Sequence, residues 1–244
     1  AIPVYDFESN KNIIITSKNG MIKRSKLSDF KLTRYSKPTS CMKLKDSDEV
    51  IDAYIESNPC VFLTTNSCYG LSFPVSDIPL VGVKASGFKA IMLKDDYLVS
   101  SNNFDYNSQE FISIITDKGS AKRVRLSEFP ISSRARRGLL LLREVKTNPY
   151  QILKTFIIGS KEHIGIKTSE IDILKVTELP IMDRYSTGSQ ISKKEIVDAF
   201  EVKNLETKEK FNEVKKEVES VPKKEQVDLK SIDDRLMTID DFLK

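Results

Sequence analysis

One phrase is written four times along this chain. Residues 13–32 read IIITSKNGMIKRSKLSDFKL and residues 61–80 read VFLTTNSCYGLSFPVSDIPL. Residues 112–131 read ISIITDKGSAKRVRLSEFPI and residues 164–181 read IGIKTSEIDILKVTELPI. Each time an apolar run enters a polar turn and a second run follows. Leu or Val then precedes Ser, an acid and an apolar residue, or a relic of that ending. On this phasing Leu27 matches Val75, Leu126 and Leu179, at steps of 48, 51 and 53 residues. The later half of the unit recurs too, since Glu49-Val50-Ile51-Asp52-Ala53-Tyr54 is echoed by Glu195-Ile196-Val197-Asp198-Ala199-Phe200. Repeats of roughly 20–50 residues are units that cannot bury an apolar face alone and must stack on their neighbours.

Within a unit the apolar runs are short, rich in β-branched and aromatic residues, and bounded by Asn, Gly, Ser and Asp; such runs read as strands. In the first unit they fall at residues 13–15, 21–23, 41–44 and 50–55. About four strands per ~50 residues is the arithmetic of a propeller blade. A sandwich is the competing all-β architecture, but it demands no similarity at fixed phase. Residues 1–7, AIPVYDF, precede Glu8-Ser9-Asn10 much as residues 50–55 precede Glu56-Ser57-Asn58. They are therefore expected to form the closing strand of a preceding unit. The prediction is about four complete four-stranded blades plus one strand of another blade, an incomplete copy of a ring of about five or six blades. The lack of an initiator Met agrees with a fragment of something longer.

Of the 244 residues, 39% are hydrophobic and 30% charged, enough apolar material for a core. No stretch nears the roughly 18 apolar residues of a membrane span, and the start has no signal-peptide pattern. Cys41, Cys60 and Cys68 show no CxxC spacing. They support neither a disulfide framework nor a zinc knuckle, and imply a reducing, cytoplasmic setting. Beyond residue 202 the character changes. Phe211, Val214, Val218 and Val221, then Leu229, Ile232, Leu236, Ile239 and Leu243, step at helical spacing. Neither stripe is long enough to be a stable helix unsupported. Residues 1–202 are thus read as the folded domain, and residues 203–244 as a charged, partly helical or disordered tail whose last stripe is a candidate docking segment. The tail holds 10 basic and 11 acidic residues, leaving 29 basic against 24 acidic in the rest.

Little here suggests catalysis. His163 is the sole histidine and has no metal-ligand spacing around it. Gly159-Ser160-Lys161 is only a fragment of a phosphate-binding loop. The paired aspartates Asp95-Asp96, Asp233-Asp234 and Asp240-Asp241 read as ordinary solvated charge, so neither a catalytic group nor a metal site is predicted. Basic residues, by contrast, recur in phase. Lys23, Arg24 and Lys26 follow the turn of the first unit, as Lys122, Arg123 and Arg125 follow that of the third. A second cluster trails each hairpin: Arg34 with Lys37, Lys84 with Lys89, Arg134 with Arg136 and Arg137, and Arg184. Gathered on one rim, these side chains would form a curved cationic track. Such a track binds duplex DNA of any sequence by releasing counterions. It can also offset the 1–6 kcal/mol, in order of magnitude, that bending a short site costs. A propeller serving as a protein-interaction scaffold is the competing function.

KNGMIKRSKLSDFKLTRYSKP and DKGSAKRVRLSEFP resemble the repeats of the C-terminal domain of bacterial type IIA topoisomerase A subunits. The likeness runs over residues 1–202 and is greatest to the topoisomerase IV type of Gram-positive bacteria. A gyrase-type DNA-wrapping domain is the alternative. The gyrase signature box QRRGGKG is absent, with residues 134–138, RARRG, its nearest shadow. The resemblance implies a β-pinwheel, whose blades exchange strands, that binds and bends DNA on its basic rim during ATP-dependent decatenation and relaxation in chromosome segregation. It also implies protein partners, a second A subunit together with the topoisomerase IV B subunits, engaged through regions outside this chain. Cleavage, ATP and Mg²⁺ would belong to those regions, with no cofactor held here, and the protein would sit on the nucleoid in the cytoplasm. Relatives are sometimes described as peripherally membrane-associated, which this sequence does not show. Arg34-Tyr35 and Arg184-Tyr185 superficially match the family's cleaving tyrosine after an arginine. They lie 150 residues apart at equal phase, so both read as structural or DNA-contacting.

Overall fold

The computed structural model describes residues 2–32, 38–45 and 47–202. The repeated phrase folds each time as an antiparallel hairpin. In the first, β1 (Asn12–Ser17) pairs with β2 (Met21–Lys26) so that Ile15 stands opposite Lys23. The hairpin loop closes through Gly20, whose N–H donates to the Ser17 carbonyl at 3.1 Å and whose φ is +80°. That is the left-handed third position of a three-residue hairpin loop. The same bond closes the second hairpin, β4 (Cys60–Thr65) and β5 (Tyr69–Pro74), but there Cys68 takes the positive φ. The third hairpin is β8 (Phe111–Thr116) with β9 (Ser120–Arg125), and the fourth β12 (His163–Lys167) with β13 (Ile171–Lys175).

A single 3-10 turn follows each hairpin and begins on a buried apolar residue: Leu27, Val75, Leu126 and Val176. The fourth unit is therefore phased on Val176, 50 residues after Leu126, and not on Leu179. Leu179 instead matches Phe129; each is buried and donates its N–H to the residue that opens its turn.

The chain then crosses to the sheet before it. Strands β6 (Phe88–Lys89), β10 (Leu139–Leu140) and β14 (Ser189–Gln190) each pair with the hairpin of the preceding unit. Strands β3 (Val50–Ile55), β7 (Leu98–Phe104), β11 (Ile152–Phe156) and β15 (Asp198–Val202) return to their own hairpins. Three four-stranded sheets result, β3-β1-β2-β6, β10-β5-β4-β7 and β11-β8-β9-β14, with a three-stranded sheet β13-β12-β15. This is the strand-exchanging pinwheel, four small sheets in a propeller-like ring. Strand pairing also bears out the late echo, because Ala53 faces Ile15 as Ala199 faces Ile166.

Three expectations need correction. The fourth blade has three strands, since nothing among the described residues pairs with the free edge of β13. Residues 41–44 form no strand; Met42 is buried, but the segment is irregular. Residues 2–7 are likewise irregular, with the Tyr5 side chain in solvent. Apolar content alone does not make a strand where no ladder partner takes up the backbone groups. The expected tail at 203–244 lies outside the described residues.

Burial falls between neighbouring sheets. Phe62 packs edge-on against Phe104 and Phe129 between the second and third sheets, with Leu141, Leu142 and Ile152 beside them. Strands β3, β7, β11 and β15 touch in succession around the middle. There Asp52 accepts the Ser101 N–H at 2.8 Å and an ion pair from Lys154 at 3.3 Å, which joins the first sheet to the third. Thr64 and Thr155 share a hydrogen bond of 2.8 Å in the same layer. The exchanged strands lie at the opposite end of each sheet order and so define the perimeter.

Candidate nucleic-acid interface

Every exchanged strand is preceded by a loop that passes over the hairpin it will join. Arg24 pairs in parallel with Leu80, and Arg123 with Ile181. The crossing is tight: at Gly138, with φ +85°, an added Cβ would stand 2.2 Å from the Gly70 carbonyl oxygen. These loops carry the second basic cluster, and they interlock. Ala135 N–H donates to Ala90 O at 2.8 Å, Met92 N–H donates to Arg136 O at 2.8 Å, and the Arg134 guanidinium reaches Lys89 O. Lys84, Lys89, Arg134, Arg136 and Arg137 therefore form one continuous perimeter band over the first two blades. Lys84, Lys89, Arg136 and Arg137 are exposed. Arg137 also lies over the Tyr69 ring at 4.2 Å and Arg136 donates to Ser133 Oγ. Arg184 belongs to the equivalent loop of the fourth unit, half-buried, bonded to Tyr185 Oη and stacked on its ring. Tyr185 is itself exposed, so the pair lies on the surface of that loop. Arg34 and Lys37, with Tyr35, lie outside the described residues.

The first basic cluster is arranged differently, for a reason rooted in the pleat. Alternate residues of a strand face opposite sides. Lys23 and Lys122 point inward and are fully buried. The Lys23 ammonium donates to Cys41 O at 2.8 Å, Gly82 O at 3.2 Å and Val83 O at 2.5 Å. The Lys122 ammonium donates to Asp183 O at 2.8 Å, Ser186 O at 2.9 Å and Ser186 Oγ at 3.3 Å. Neither can reach a phosphate, so both leave the predicted DNA-contacting set. Burial pushes the Lys122 ammonium down to about 8 against the pull of the Asp183 and Glu128 carboxylates. Burial lowers Lys23 as well, opposed by Cys41.

Other members of that set face outward but are already engaged. Arg24 grips Glu56 through two bonds of 2.6 and 2.7 Å. Arg125 is paired with Glu110, and Arg123 donates to Leu179 O at 2.9 Å. Arg134 spends its guanidinium on Lys89 O and on Asp77 O, the latter at 3.2 Å. A cation whose donors are occupied releases fewer counterions on meeting DNA. Of the first cluster only Lys26 remains exposed and without such a bond among the described residues.

Two cations went unnoticed in the sequence. Lys43 and Arg143 occupy one structural position, each donating its backbone N–H to the next unit's perimeter loop, at Ala85 O and Ser186 O. Both side chains are exposed. Their separation of 100 residues, two repeat lengths, was the available signal.

Residues 11–55, 61–101 and 110–148, just over half of the chain, match the family model of the DNA gyrase C-terminal domain, a β-propeller. The chain belongs to this family. The DNA topoisomerase 4 A subunit of Bacillus subtilis is 37% identical over 192 residues, covering 78% of this chain and 24% of the relative. Its counterpart from Staphylococcus epidermidis is 32% identical over 190 residues, covering 76% and 24%. The chain thus spans about a quarter of the length of these relatives. Among solved structures, a crystal structure of the C-terminal domain of DNA topoisomerase IV superposes with a TM-score of 0.80 at 33% identity, covering 88% of this chain and 69% of that one. A DNA gyrase A C-terminal domain gives 0.71 at 17% identity, covering 82% and 68%, a likeness of fold alone. In this gyrase-type propeller the fourth unit lies beyond the matched segments yet keeps the hairpin, the 3-10 turn and the exchanged strand of the others. Among the described residues no groups of His, Cys, Asp or Glu are placed to hold a metal ion, and no helix is long and apolar enough to cross a membrane.

Proposed function

We propose that this chain is the DNA-binding and DNA-bending domain of a topoisomerase IV A subunit. Its role is to hold a DNA segment on the propeller perimeter during ATP-dependent decatenation and relaxation. One observation carries the reading: the perimeter band of Lys84, Lys89, Arg136 and Arg137, continuous across two blades and continued by Arg143 and Arg184. A band of cations at blade spacing suits a phosphate backbone, and no element of the described residues is shaped to read base edges. Strand cleavage, ATP hydrolysis and Mg²⁺ binding are assigned to other parts of the holoenzyme, as are the contacts with the B subunits and with the second A subunit. A DNA partner would place the protein on the nucleoid.

The test is equilibrium binding to a random-sequence 30-base-pair duplex at two salt concentrations. Four phosphate contacts predict a ~10²-fold loss of affinity between about 50 and 200 mM salt. Replacing Lys84, Lys89, Arg136 and Arg137 together by Glu should abolish most of this slope. End-to-end fluorescence transfer on the same duplex should report a bend with the wild-type chain. Salt-independent binding, or none, rejects the proposal and favours the protein-scaffold function.

A further inference from the structure

Two fully buried lysines are uncommon in a domain of this size, because an ammonium surrenders its hydration on burial and needs full replacement. Lys23 and Lys122 occupy the same place, third residue of the second hairpin strand, in the first and third blades. Each replaces its water with backbone carbonyls drawn from the loop of the following unit: Gly82 and Val83 for Lys23, Asp183 and Ser186 for Lys122. Those are the loops that bring Lys84, Lys89 and Arg184 to the perimeter. In the second blade the matching residue is Leu71, an apolar side chain buried between the first two sheets, and the Ser72 hydroxyl beside it reaches Phe129 O at 3.3 Å and Pro130 O at 3.1 Å. A cavity of about 270 Å³ opens beside Leu71 and Ser72, lined also by Phe129, Pro130, Arg136 and Gly138. The loop of that blade is tied instead by a cation of its own, Arg134, to Asp77 O and Lys89 O.

We propose that Lys23 and Lys122 are positioning residues, internal cations around which the next unit's perimeter loop folds, and that they thereby fix where the phosphate-facing side chains stand. Carbonyl groups gathered round an ammonium repel one another once it is removed, so the loop loses its centre and not merely one bond. The link to phosphate contact rests on the DNA-binding function proposed above, whereas the loop-holding role does not.

The experiment uses the whole 244-residue chain. Lys122→Met keeps the aliphatic stem and removes the donors. Hydrogen exchange of the amides in residues 183–188 should accelerate about tenfold or more while those of β8 stay unchanged. Duplex affinity should fall several-fold, and adding Arg184→Ala should weaken it no further than the weaker single variant, as coupled sites require. Unchanged exchange in the loop overturns the role, and so does a double variant whose losses multiply. A gain-of-function variant guards against a chain that will not fold. Leu71→Lys, with room in the adjoining cavity, should slow exchange in residues 132–138, and failure to slow it also counts against the proposal. Should the wild type bind no DNA, the function fails at that point, yet the exchange data still decide what the lysines do.

Discussion

At Gly138 the perimeter loop passes so close to β5 that only a hydrogen fits, and φ is +85°. Gly138→Ala therefore faces both a left-handed backbone and a Cβ lodged against the Gly70 carbonyl. The variant should lose about 2 kcal/mol or more, visible as a drop in Tm of roughly 4–8 °C. Lys122 makes a second prediction, in pH. The group facing it is a set of carbonyls with Ser186 Oγ, and the nearby ionisable groups are Asp183, Glu128 and Cys68. Unfolded, Lys122 keeps its proton up to its ordinary 10.5; folded, it releases it from about 8. Between those values the unfolded chain binds more protons, so stability from this group rises with pH. The Tm difference between wild type and Lys122→Met should thus move in favour of wild type from pH 8 to pH 10. A difference independent of pH would show that Lys122 titrates alike in both states.

Among the elements, the fourth blade differs from the other three. Its hairpin strand β13 has no edge partner among the described residues, and Ile171 and Ile173 are about half exposed, where Ile22 in the first blade is fully buried. Sheets lacking an edge partner and a covered face open most readily. Amides of β12, β13 and β15 should exchange faster than those of β4 and β8, and equal protection across all blades would contradict this. The hairpins were legible in the sequence because short apolar runs rich in β-branched residues, bounded by polar turn residues such as Asn19-Gly20 and Lys118-Gly119, announce them. Exchange of strands was legible only through family resemblance: β6, β10 and β14 are two residues long, too short for any pattern. Phase in the fourth unit slipped by three residues because Leu179 imitates the ending that Val176 begins. As for the candidate interface, recurrence pointed to loops that lie on the perimeter but could not tell the exposed Lys84 from the buried Lys122. A strand alternates its faces every residue, and whether a lysine on the inner face meets carbonyls depends on a loop some sixty positions later.

Across the whole molecule, the middle layer is polar while the layers between blades are apolar. The Lys154–Asp52 pair spans 102 positions of sequence and joins the first and third sheets, with Tyr54 and Ser101 beside it. Burial raises the Asp52 carboxyl while Lys154 lowers it, so removing the lysine leaves a poorly solvated carboxylate. Lys154→Met should destabilise the chain by about 1–3 kcal/mol, less than a wholly buried pair, as both side chains keep some contact with water. Asp52→Asn with Lys154→Met should recover part of that loss, and a double variant as unstable as the sum of the singles would show the pair to be uncoupled.

Because each of the first three sheets is finished by residues encoded after it, manufacture and folding run out of step. When Val50–Ile55 leaves the ribosome, the first sheet still waits for Phe88 and Lys89. Each of these three blades thus spends part of translation as a three-stranded intermediate, and a break in the gene between two of their repeats would harm the module upstream of the cut.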